Sequence, residues 1–230
     1  MQTPLQDAVV VMSGGQDSVT CLGIALHDCH RVTAVTFAYG QKHAAEIDAA
    51  RRICDKHYVQ HMVVDLSGIL GFMRSSALIT GGDVNADHPL NAELPASFVP
   101  ARNALFLTAA YGIALEVGAK RVYTGVCQTD YSGYPDCREE FVSALNIALD
   151  LGYGGDVKIV TPLMHLDKAA TFALANSYGF LDTVLQESLT CYNGVTLSNE
   201  WGMGCGECPA CKLRLKGWEE YKSRYQPDAE

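Results

Sequence analysis

Near the start of the chain lies the segment Ala8-Val9-Val10-Val11-Met12-Ser13-Gly14-Gly15-Gln16-Asp17-Ser18. Its apolar part, Ala8 to Met12, predicts a buried strand, and the run Val19 to His27 that follows the segment predicts a helix. Between them, glycines and serines supply the kind of tight turn that joins a strand to a helix. The segment therefore predicts a strand, a loop and a helix in direct succession.

The loop Ser13–Ser18 suits the binding of a phosphate group. Its glycines permit positive φ and let backbone N–H groups approach an anion closely, and the following helix directs the positive end of its dipole to the same point. Ser13 and Ser18 can donate hydrogen bonds, and Asp17 can bind Mg²⁺ or cap the helix. A bare Gly-Gly-x-Asp is often only a helix cap, but the complete hexapeptide after four apolar residues favours a phosphate loop.

Strand and helix patterns alternate along the rest of the chain. Predicted strands lie at residues 32–39, 61–66, 121–127 and 158–163, and predicted helices at about 47–58, 104–119, 141–148 and 167–178. The segment 68–100, rich in glycine and proline, predicts a long excursion over the active face. This alternation predicts an α/β fold with a doubly wound, mainly parallel, Rossmann-like sheet and helices on both faces.

The same topology predicts where a ligand binds. Because ligands bind beyond the carboxyl ends of such strands, we expect Ser13–Ser18, Asp130–Asp136 and Leu163–Lys168 to meet in one cleft. We expect an α/β domain that carries the phosphate loop at residues 1–185 and a smaller, cysteine-rich region with a C-terminal helix at residues 186–230.

Composition excludes some classes of function. The 230 residues are 48% hydrophobic, so the chain can bury a substantial core, and the net charge of −9 opposes stable binding of nucleic acid. The N-terminus lacks the basic start of a signal peptide, and no apolar run reaches the roughly 18–20 residues needed to span a bilayer. We therefore expect a cytoplasmic protein with no membrane segment.

The cysteines are crowded near the C-terminus. Cys205, Cys208 and Cys211 are separated by two residues each, and Cys191 precedes them. Four such ligands predict a tetrahedral zinc site, which is structural because a filled shell leaves no position for water. An iron–sulfur cluster also uses four cysteines, a redox pair needs only two, and buried free thiols are a further alternative.

The segment Gly125–Arg138 combines aromatic, acidic and turn residues directly after a predicted strand. A pocket for a flat heterocycle needs such aromatic faces and carboxylates. A solvent-facing Gly-Pro turn is the alternative interpretation.

The loop Ser13–Ser18 resembles that of the N-type ATP pyrophosphatases, in which it holds pyrophosphate while a substrate oxygen attacks the α-phosphorus of ATP. The Walker pattern of γ-phosphate-transferring loops is absent from the sequence. With Gly125–Arg138, further segments over about residues 8–215 resemble the 7-cyano-7-deazaguanine synthases. These are Tyr39–His43, Phe98–Asn103, Pro162–Leu163 with Asp167–Lys168, and Leu189–Gly194.

The resemblance implies a reaction. It is the ATP-dependent conversion of 7-carboxy-7-deazaguanine and ammonia to 7-cyano-7-deazaguanine, a precursor of queuosine, through an adenylated acid and an adenylated amide. AMP and pyrophosphate are released. The resemblance also implies ATP with Mg²⁺ as cosubstrate, one structural zinc per chain and a homodimer. The adenylating core and the zinc region account for the length of the chain and leave no room for a glutaminase domain, so we expect free ammonia as the nitrogen source.

The resemblance also assigns roles to residues. Asp17, Lys168 and Arg102 are expected to be catalytic, the last two by neutralising charge on the phosphates, although surface ion pairing is the alternative for both. The expected deazaguanine-binding residues are Asp130, Tyr131, Ser132, Tyr134 and Asp136. The expected nucleotide-binding residues are Met12, Ser13, Gly14, Gly15, Gln16, Asp17, Ser18, Val19, Thr20, Cys21 and Leu22. The expected metal ligands are Cys191, Cys205, Cys208 and Cys211.

Two departures from the family pattern stand out. Members usually have glycine where this chain has Ala101, and a shorter span between the first two metal-binding cysteines. Three other functions remain open at this point: a tRNA-modifying ATP pyrophosphatase, a noncatalytic nucleotide-binding zinc scaffold, and an enzyme that attaches a deazaguanine to a macromolecule.

Overall fold

The computed structural model describes residues 6–41, 45–129 and 133–226. Within these ranges, five parallel strands form a central sheet in the order β3-β2-β1-β6-β7, which confirms the predicted doubly wound α/β fold. Two short antiparallel hairpins, β4–β5 and β8–β9, lie outside this sheet. The strands are β1 (Ala8–Val11), β2 (Val32–Ala38), β3 (Gln60–Asp65), β4 (Asp87–His88), β5 (Asn91–Pro95), β6 (Arg121–Tyr123), β7 (Lys158–Val160), β8 (Ser198–Asn199) and β9 (Gly202–Met203).

Helices cover both faces of the sheet. In chain order they are α1 (Gln16–Asp28), α2 (Ala45–Lys56), α3 (Ser67–Leu70), α4 (Ala77–Thr80), α5 (Arg102–Glu116), α6 (Glu139–Tyr153), α7 (Lys168–Ser177), α8 (Leu181–Glu187) and α9 (Pro209–Tyr225). A single 3₁₀ turn, Pro135–Cys137, precedes α6. Among the described residues, no helix has both the length and the apolar character required to cross a bilayer.

The alternation of side chains along β1 explains the two layers. Ala8 and Val10 point into a core shared with α1, α2, α7, α8 and α9, whereas Val9 points into a core shared with α5 and α6. All three residues are at most 1% exposed. A strand buried on both faces reads as a continuous apolar run, which is why β1 was recognisable from sequence.

Most predicted elements differ in extent from those observed. Helix α1 begins at Gln16, three residues before the predicted start, because extended Gly15 serves as its N-cap. Strand β6 ends at Tyr123, before the predicted Cys127, because at Gly125 the chain lies against the first turn of α1. The predicted excursion 68–100 includes most of α3, together with α4 and the β4–β5 hairpin.

The C-terminal region packs onto the α/β layers. Helix α9 lies against α7, where the ring of Trp218 meets that of Phe172 edge to face at 5.2 Å between centroids. A Cβ on Gly217 would lie 2.3 Å from the Cβ of Lys168, so only glycine permits this approach of the two helices. The division between residues 185 and 186 stays a prediction.

Candidate active site

A cavity of about 290 Å³ opens beyond the carboxyl ends of β1 and β6. The strand order reverses between these two strands, so the loops that follow them diverge and leave a crevice. The cavity is lined by every residue of the loop Ser13–Ser18 except Gly14, and by aromatic and charged side chains around Arg102. These further lining residues include Tyr39, Glu46, Phe106, Tyr134, Lys168, Thr190 and Tyr192.

The hydroxyl of Ser18 holds the loop in shape. It accepts hydrogen bonds from the N–H of Gly14 and the hydroxyl of Ser13, each at 3.1 Å, and donates to the carbonyl of Gly15 at 2.9 Å. Gly14 has a φ of +87°, and a Cβ there would lie 2.3 Å from the carbonyl oxygen of Glu46. Only glycine satisfies both constraints, so the loop and α2 fix each other's position.

Helix α1 presents its N-terminus to the cavity. The first N–H groups of a helix have no intrahelical partner and carry partial positive charge. Gly125 lies against this turn, since a Cβ on Gly125 would be 2.8 Å from the Cβ of Asp17. The crevice here is narrow and contains backbone donors, an arrangement that suits a phosphate group.

The structure divides the predicted nucleotide-binding segment into two parts. Met12, Ser13 and the residues from Gly15 to Ser18 line the cavity. Val19, Thr20, Cys21 and Leu22 are fully buried inside α1 and are not among the lining residues, because the helix turns them into the core. These four residues therefore lie outside the cavity, and their part in nucleotide binding stays a prediction.

Lys168 and Asp17 form an ion pair beside the loop. The Lys168 ammonium donates to both carboxylate oxygens of Asp17, at 2.7 and 2.9 Å. Lys168 is 7% exposed and Asp17 is 27% exposed, so the cation lies deeper than its partner. Lys168 is the first residue of α7, which places its side chain at the carboxyl edge of the sheet. The surface ion pair considered for Lys168 is thus replaced by a largely buried one at the cavity.

Arg102 lies between two tyrosine rings. Its guanidinium carbon is 5.8 Å from the ring centre of Tyr39 and 5.5 Å from that of Tyr134. Burial alone would lower the pKa of Arg102, but the two tyrosines and Asp136 raise it, so the side chain stays cationic. A cation flanked by aromatic faces can bind a flat, anionic molecule.

Glu46 places an ionisable carboxyl group in the same cavity. Burial raises its pKa to about 7, although the cation of Arg102 acts in the opposite direction. Burial also raises the pKa of Tyr39 to about 12, with a smaller contribution in the same direction from Glu46. A perturbed carboxyl group in a cavity is a typical feature of a functional site.

Asp136 supports the position of Arg102 by binding Asn103, the residue that follows Arg102 in sequence. The carboxylate accepts from the N–H of Asn103 at 3.2 Å and from its side-chain amide at 3.0 Å, and Asp136 is 7% exposed. Asp136 is not among the cavity-lining residues, whereas Tyr134 is. The geometry thus favours support of α5 by Asp136 over the predicted direct contact with substrate. The predicted substrate residues Asp130, Tyr131 and Ser132 lie outside the described residues.

Ala101, the residue at which the chain departs from the family pattern, has a φ of +61°. It is the N-cap of α5 and directly precedes Arg102. A left-handed conformation costs a residue with a Cβ roughly 1–2 kcal/mol, and glycine avoids that cost. The structure therefore explains why glycine suits this position, and it locates backbone strain next to a cavity residue.

The four predicted metal ligands come together. The sulfur atoms of Cys191, Cys205, Cys208 and Cys211 all lie within 4.8 Å of one another, and those of Cys205 and Cys211 are 3.9 Å apart. Zinc–sulfur bonds of about 2.3 Å in a tetrahedron require sulfur atoms roughly 3.8 Å apart. The cluster therefore fits a tetrahedral metal ion.

Backbone donors and the start of α9 support the thiolates. The N–H groups of Glu207 and Cys208 each donate to the sulfur of Cys205 at 3.4 Å, and Cys208 is the N-cap of α9. Both features favour negative charge on sulfur. A Cβ on Gly204 would lie 2.6 Å from the sulfur of Cys211, so glycine there makes room for the cluster.

Sequence reasoning assigned no role to several residues that line the cavity. Glu46 and Thr190 are the clearest examples, and Tyr39 and Tyr192 belong with them. The last three lie inside segments quoted for their family resemblance, which was the available signal. The sequence gives no signal for Glu46, because acidic residues are common in the first turn of a helix.

The fold and the phosphate loop define the class of protein. A parallel sheet with a Ser-Gly-Gly-x-Asp-Ser loop at its topological switch point is the architecture of the PP-loop ATP pyrophosphatases, as expected from the resemblance. Within that class, the chain belongs to the family of the queuosine biosynthesis protein QueC, whose sequence profile matches residues 7–222. The chain is therefore an enzyme of this family.

Individual relatives agree with this assignment. The chain is 49% identical over 218 residues to the 7-cyano-7-deazaguanine synthase of Wolinella succinogenes, with 94% of each chain covered. It is 48% identical over 218 residues to the 7-cyano-7-deazaguanine synthase of Lysinibacillus sphaericus, covering 95% of this chain and 96% of the relative. Among solved structures, a 4-thiouridine synthetase–RNA complex with bound ATP matches with a TM-score of 0.52 at 18% identity. That match covers 95% of this chain and 54% of the other, and shows a shared fold.

Proposed function

We propose that this enzyme converts 7-carboxy-7-deazaguanine and ammonia to 7-cyano-7-deazaguanine with the consumption of two ATP. One observation carries the proposal beyond the family: a single cavity is lined both by a phosphate loop and by an arginine between aromatic rings. The reaction needs these two kinds of site together, because an aromatic acid must meet the α-phosphorus of ATP. The names of the relatives support the same product.

In the first half-reaction, a carboxylate oxygen of the acid attacks the α-phosphorus, and the bond to pyrophosphate breaks. Negative charge develops on the departing phosphates. In our proposal the loop Ser13–Ser18 and the N-terminus of α1 hold those phosphates, and the Lys168 cation stabilises their charge. Ammonia then attacks the acyl carbon, AMP leaves with the activated oxygen, and loss of a proton gives the amide.

In the second half-reaction, the amide oxygen attacks the α-phosphorus of another ATP and again displaces pyrophosphate. Loss of AMP and of the remaining N–H protons then forms the carbon–nitrogen triple bond. Each adenylation turns one oxygen of the original carboxylate into a leaving group. Two oxygens are removed in all, so the proposed stoichiometry is two ATP for each nitrile.

The binding of the acid is assigned to the residues around Arg102. Its guanidinium would pair with the substrate carboxylate, and the rings of Tyr39 and Tyr134 would contact the flat heterocycle. Asp130, Tyr131 and Ser132 remain proposed ligands of the deazaguanine on the strength of the resemblance. Asp136 is proposed to act through Asn103 and α5.

Mg²⁺ and zinc have separate places in the proposal. Asp17 is the carboxylate of the loop that could bind Mg²⁺ entering with ATP, where the ion would screen phosphate charge. In the geometry described here both of its oxygens accept hydrogen bonds from Lys168. Zinc is assigned to the four cysteines, which leave no open coordination position, so its proposed role is structural.

Purified protein incubated with ATP, Mg²⁺, ammonium and 7-carboxy-7-deazaguanine is expected to form the nitrile and two AMP per nitrile. Mass spectrometry would identify the product, and chromatography would count AMP and ADP. A parallel incubation with glutamine in place of ammonium is expected to give little nitrile. Formation of ADP alone, or failure of the acid to stimulate ATP–pyrophosphate exchange, would refute the proposal.

Elemental analysis is expected to find about one zinc per chain in the purified protein. Cys208→Ser removes one of the buried ligands and should lower that ratio, whereas Cys54→Ser changes a buried cysteine of α2 far from the cluster in sequence and should not. Iron with sulfide in place of zinc would contradict the assignment. An unchanged zinc content in Cys208→Ser would contradict the ligand set.

A further inference from the structure

A strap at residues 188–192 ties the C-terminal region to the phosphate loop. The N–H of Leu189 donates to the carbonyl of Gly14 at 2.9 Å. The N–H of Gln16 donates to the hydroxyl oxygen of Thr190 at 3.1 Å, across 174 positions of sequence. The strap thus contacts the loop through both backbone and side chain, next to the first turn of α1.

The same hydroxyl oxygen accepts a second hydrogen bond, from a buried arginine. Arg214 is fully buried, and its guanidinium donates to the Thr190 hydroxyl at 3.2 Å. The guanidinium also donates to three backbone carbonyls, those of Trp201 at 2.8 Å, Val184 at 2.7 Å and Ser188 at 3.4 Å. These bonds fix the guanidinium and, through it, the position of the hydroxyl.

Counting donors and acceptors shows where the hydroxyl proton must go. A threonine hydroxyl can accept two hydrogen bonds and donate one. Both acceptor positions of Thr190 are filled, by Gln16 and Arg214. Within the part of the chain that the structure describes, the proton has no acceptor. The hydroxyl is thus preset to donate, and two N–H donors on its oxygen polarise it for that purpose.

The proton is available at the phosphate end of the site. Thr190 lines the cavity, and a Cβ placed on Gly15 would be 3.6 Å from its hydroxyl oxygen. The neighbouring groups are the N-terminus of α1 and the Lys168 cation, both of which favour anions. A preset O–H donor in this position complements an anionic oxygen.

We infer that Thr190 is a further phosphate-binding residue, whose hydroxyl donates to an oxygen of the pyrophosphate part of ATP. The inference rests on the proposed use of ATP at this loop. Arg214 acts through Thr190 as a positioning residue. Because Thr190 precedes Cys191, and Arg214 lies one helical turn after Cys211, the cysteine cluster also holds together the segments that carry this pair.

The test compares Thr190→Val, which keeps the shape but lacks the hydroxyl, with Thr190→Ser, which keeps it. Inorganic pyrophosphate and ATP are the probes, and calorimetry measures their dissociation constants. In the valine variant, loss of a hydrogen bond to a charged oxygen is expected to raise the dissociation constants of both probes by about tenfold or more. The serine variant should remain within about threefold of wild type.

Ser188→Ala is the matched control. This hydroxyl is on the same strap, but it is fully buried and donates to the carbonyl of Val184 at 2.6 Å. Its removal should lower the free energy of unfolding without changing the affinity for pyrophosphate. Adenosine, which has no phosphate, should bind Thr190→Val as it binds wild type. If Thr190→Val binds adenosine and pyrophosphate more weakly to the same degree, the role of Thr190 is merely structural and the inference is overturned.

A double-mutant cycle tests the positioning role of Arg214. Arg214→Lys should weaken pyrophosphate binding when Thr190 is present and have little further effect in Thr190→Val. Additive losses of pyrophosphate affinity would show that Arg214 and Thr190 are not coupled. If Arg214→Lys does not fold, Thr190→Val and Thr190→Ser still decide whether Thr190 binds phosphate. Wild-type affinity for pyrophosphate in Thr190→Val refutes the inference but leaves nitrile formation intact. Absence of nitrile from wild type that binds ATP refutes the proposed reaction alone.

Discussion

Lys168→Met is expected to reduce acid-dependent ATP–pyrophosphate exchange by on the order of 10²- to 10³-fold, the usual cost of removing one group that stabilises developing charge. Methionine keeps the length of the side chain and removes the cation. The effect should be large because the ammonium is 7% exposed and lies beside the phosphate loop, where water screens charge poorly. Exchange of labelled pyrophosphate into ATP at saturating acid measures the step directly.

Two further variants separate this effect from a loss of stability. Lys168→Met leaves the Asp17 carboxylate without its cation, at a cost of roughly 1–3 kcal/mol in unfolding free energy. Asp17→Asn combined with Lys168→Met removes both charges, so it should recover much of that stability while exchange stays low. Lys216→Met, at a lysine that is 72% exposed on α9, should change neither quantity. Exchange within threefold of wild type in Lys168→Met would exclude the proposed role.

Local patterns made much of this molecule predictable from sequence. The apolar run Ala8 to Met12 and the glycines after it define β1 and the loop, since both depend on neighbouring residues alone. The spacing of Cys205, Cys208 and Cys211 is equally local, and the structure brings these thiols together with Cys191. The position of Lys168 at the edge of the sheet was likewise predictable, because the segment Leu163–Lys168 follows a predicted strand, whereas its role came from the family resemblance.

Contacts between distant segments could not be predicted in this way. The hydrogen bond from Gln16 to Thr190 joins residues 174 positions apart, and the bond from Arg214 depends on how α9 packs on the strap. The family resemblance predicts that the carboxylate of Asp136 contacts the substrate. In the structure this carboxylate accepts two hydrogen bonds from Asn103 in the first turn of α5, a contact that depends on how the two segments pack. Burial and the choice of partner are set by packing, which a linear pattern does not contain.

Glu46 shows the same limit in its electrostatics. Nothing in the sequence distinguishes it from exposed acidic residues such as Asp48, two positions later on α2. In the structure, its first turn of helix packs against Gly14, and Arg102 comes from α5. The cavity that these elements form removes water from the carboxyl group. The resulting shift in pKa is a property of the assembled site.

Glu46→Gln is expected to abolish a dependence of stability on pH that the wild type shows between about pH 4.5 and pH 7. Burial raises the pKa of Glu46 from 4.5 to about 7 in the folded protein. The folded state therefore binds this proton more tightly than the unfolded state does. Its contribution to stability is fully present below pH 4.5 and is lost as pH rises through about 7.

The size of the effect follows from the shift. One unit of pKa corresponds to about 1.4 kcal/mol, so the wild type should lose up to about 3 kcal/mol relative to Glu46→Gln across this range. Denaturant unfolding at pH 4.5, 6 and 8 measures the difference. Glu116→Gln, which changes an exposed carboxylate at the end of α5, is the matched control and should follow wild type at every pH.

Ligand binding should report the same titration. The charged or ionisable groups around Glu46 are Arg102 from α5, Tyr39 after β2 and Tyr192 on the strap. Above pH 7 the ionised Glu46 would repel the carboxylate of a bound acid and compete with it for Arg102. The dissociation constant of 7-carboxy-7-deazaguanine, measured without ATP, should therefore increase from pH 6 to pH 8 in wild type and stay level in Glu46→Gln. Equal pH dependence in the two proteins would show that Glu46 is already ionised at pH 6, and that burial does not hold its proton.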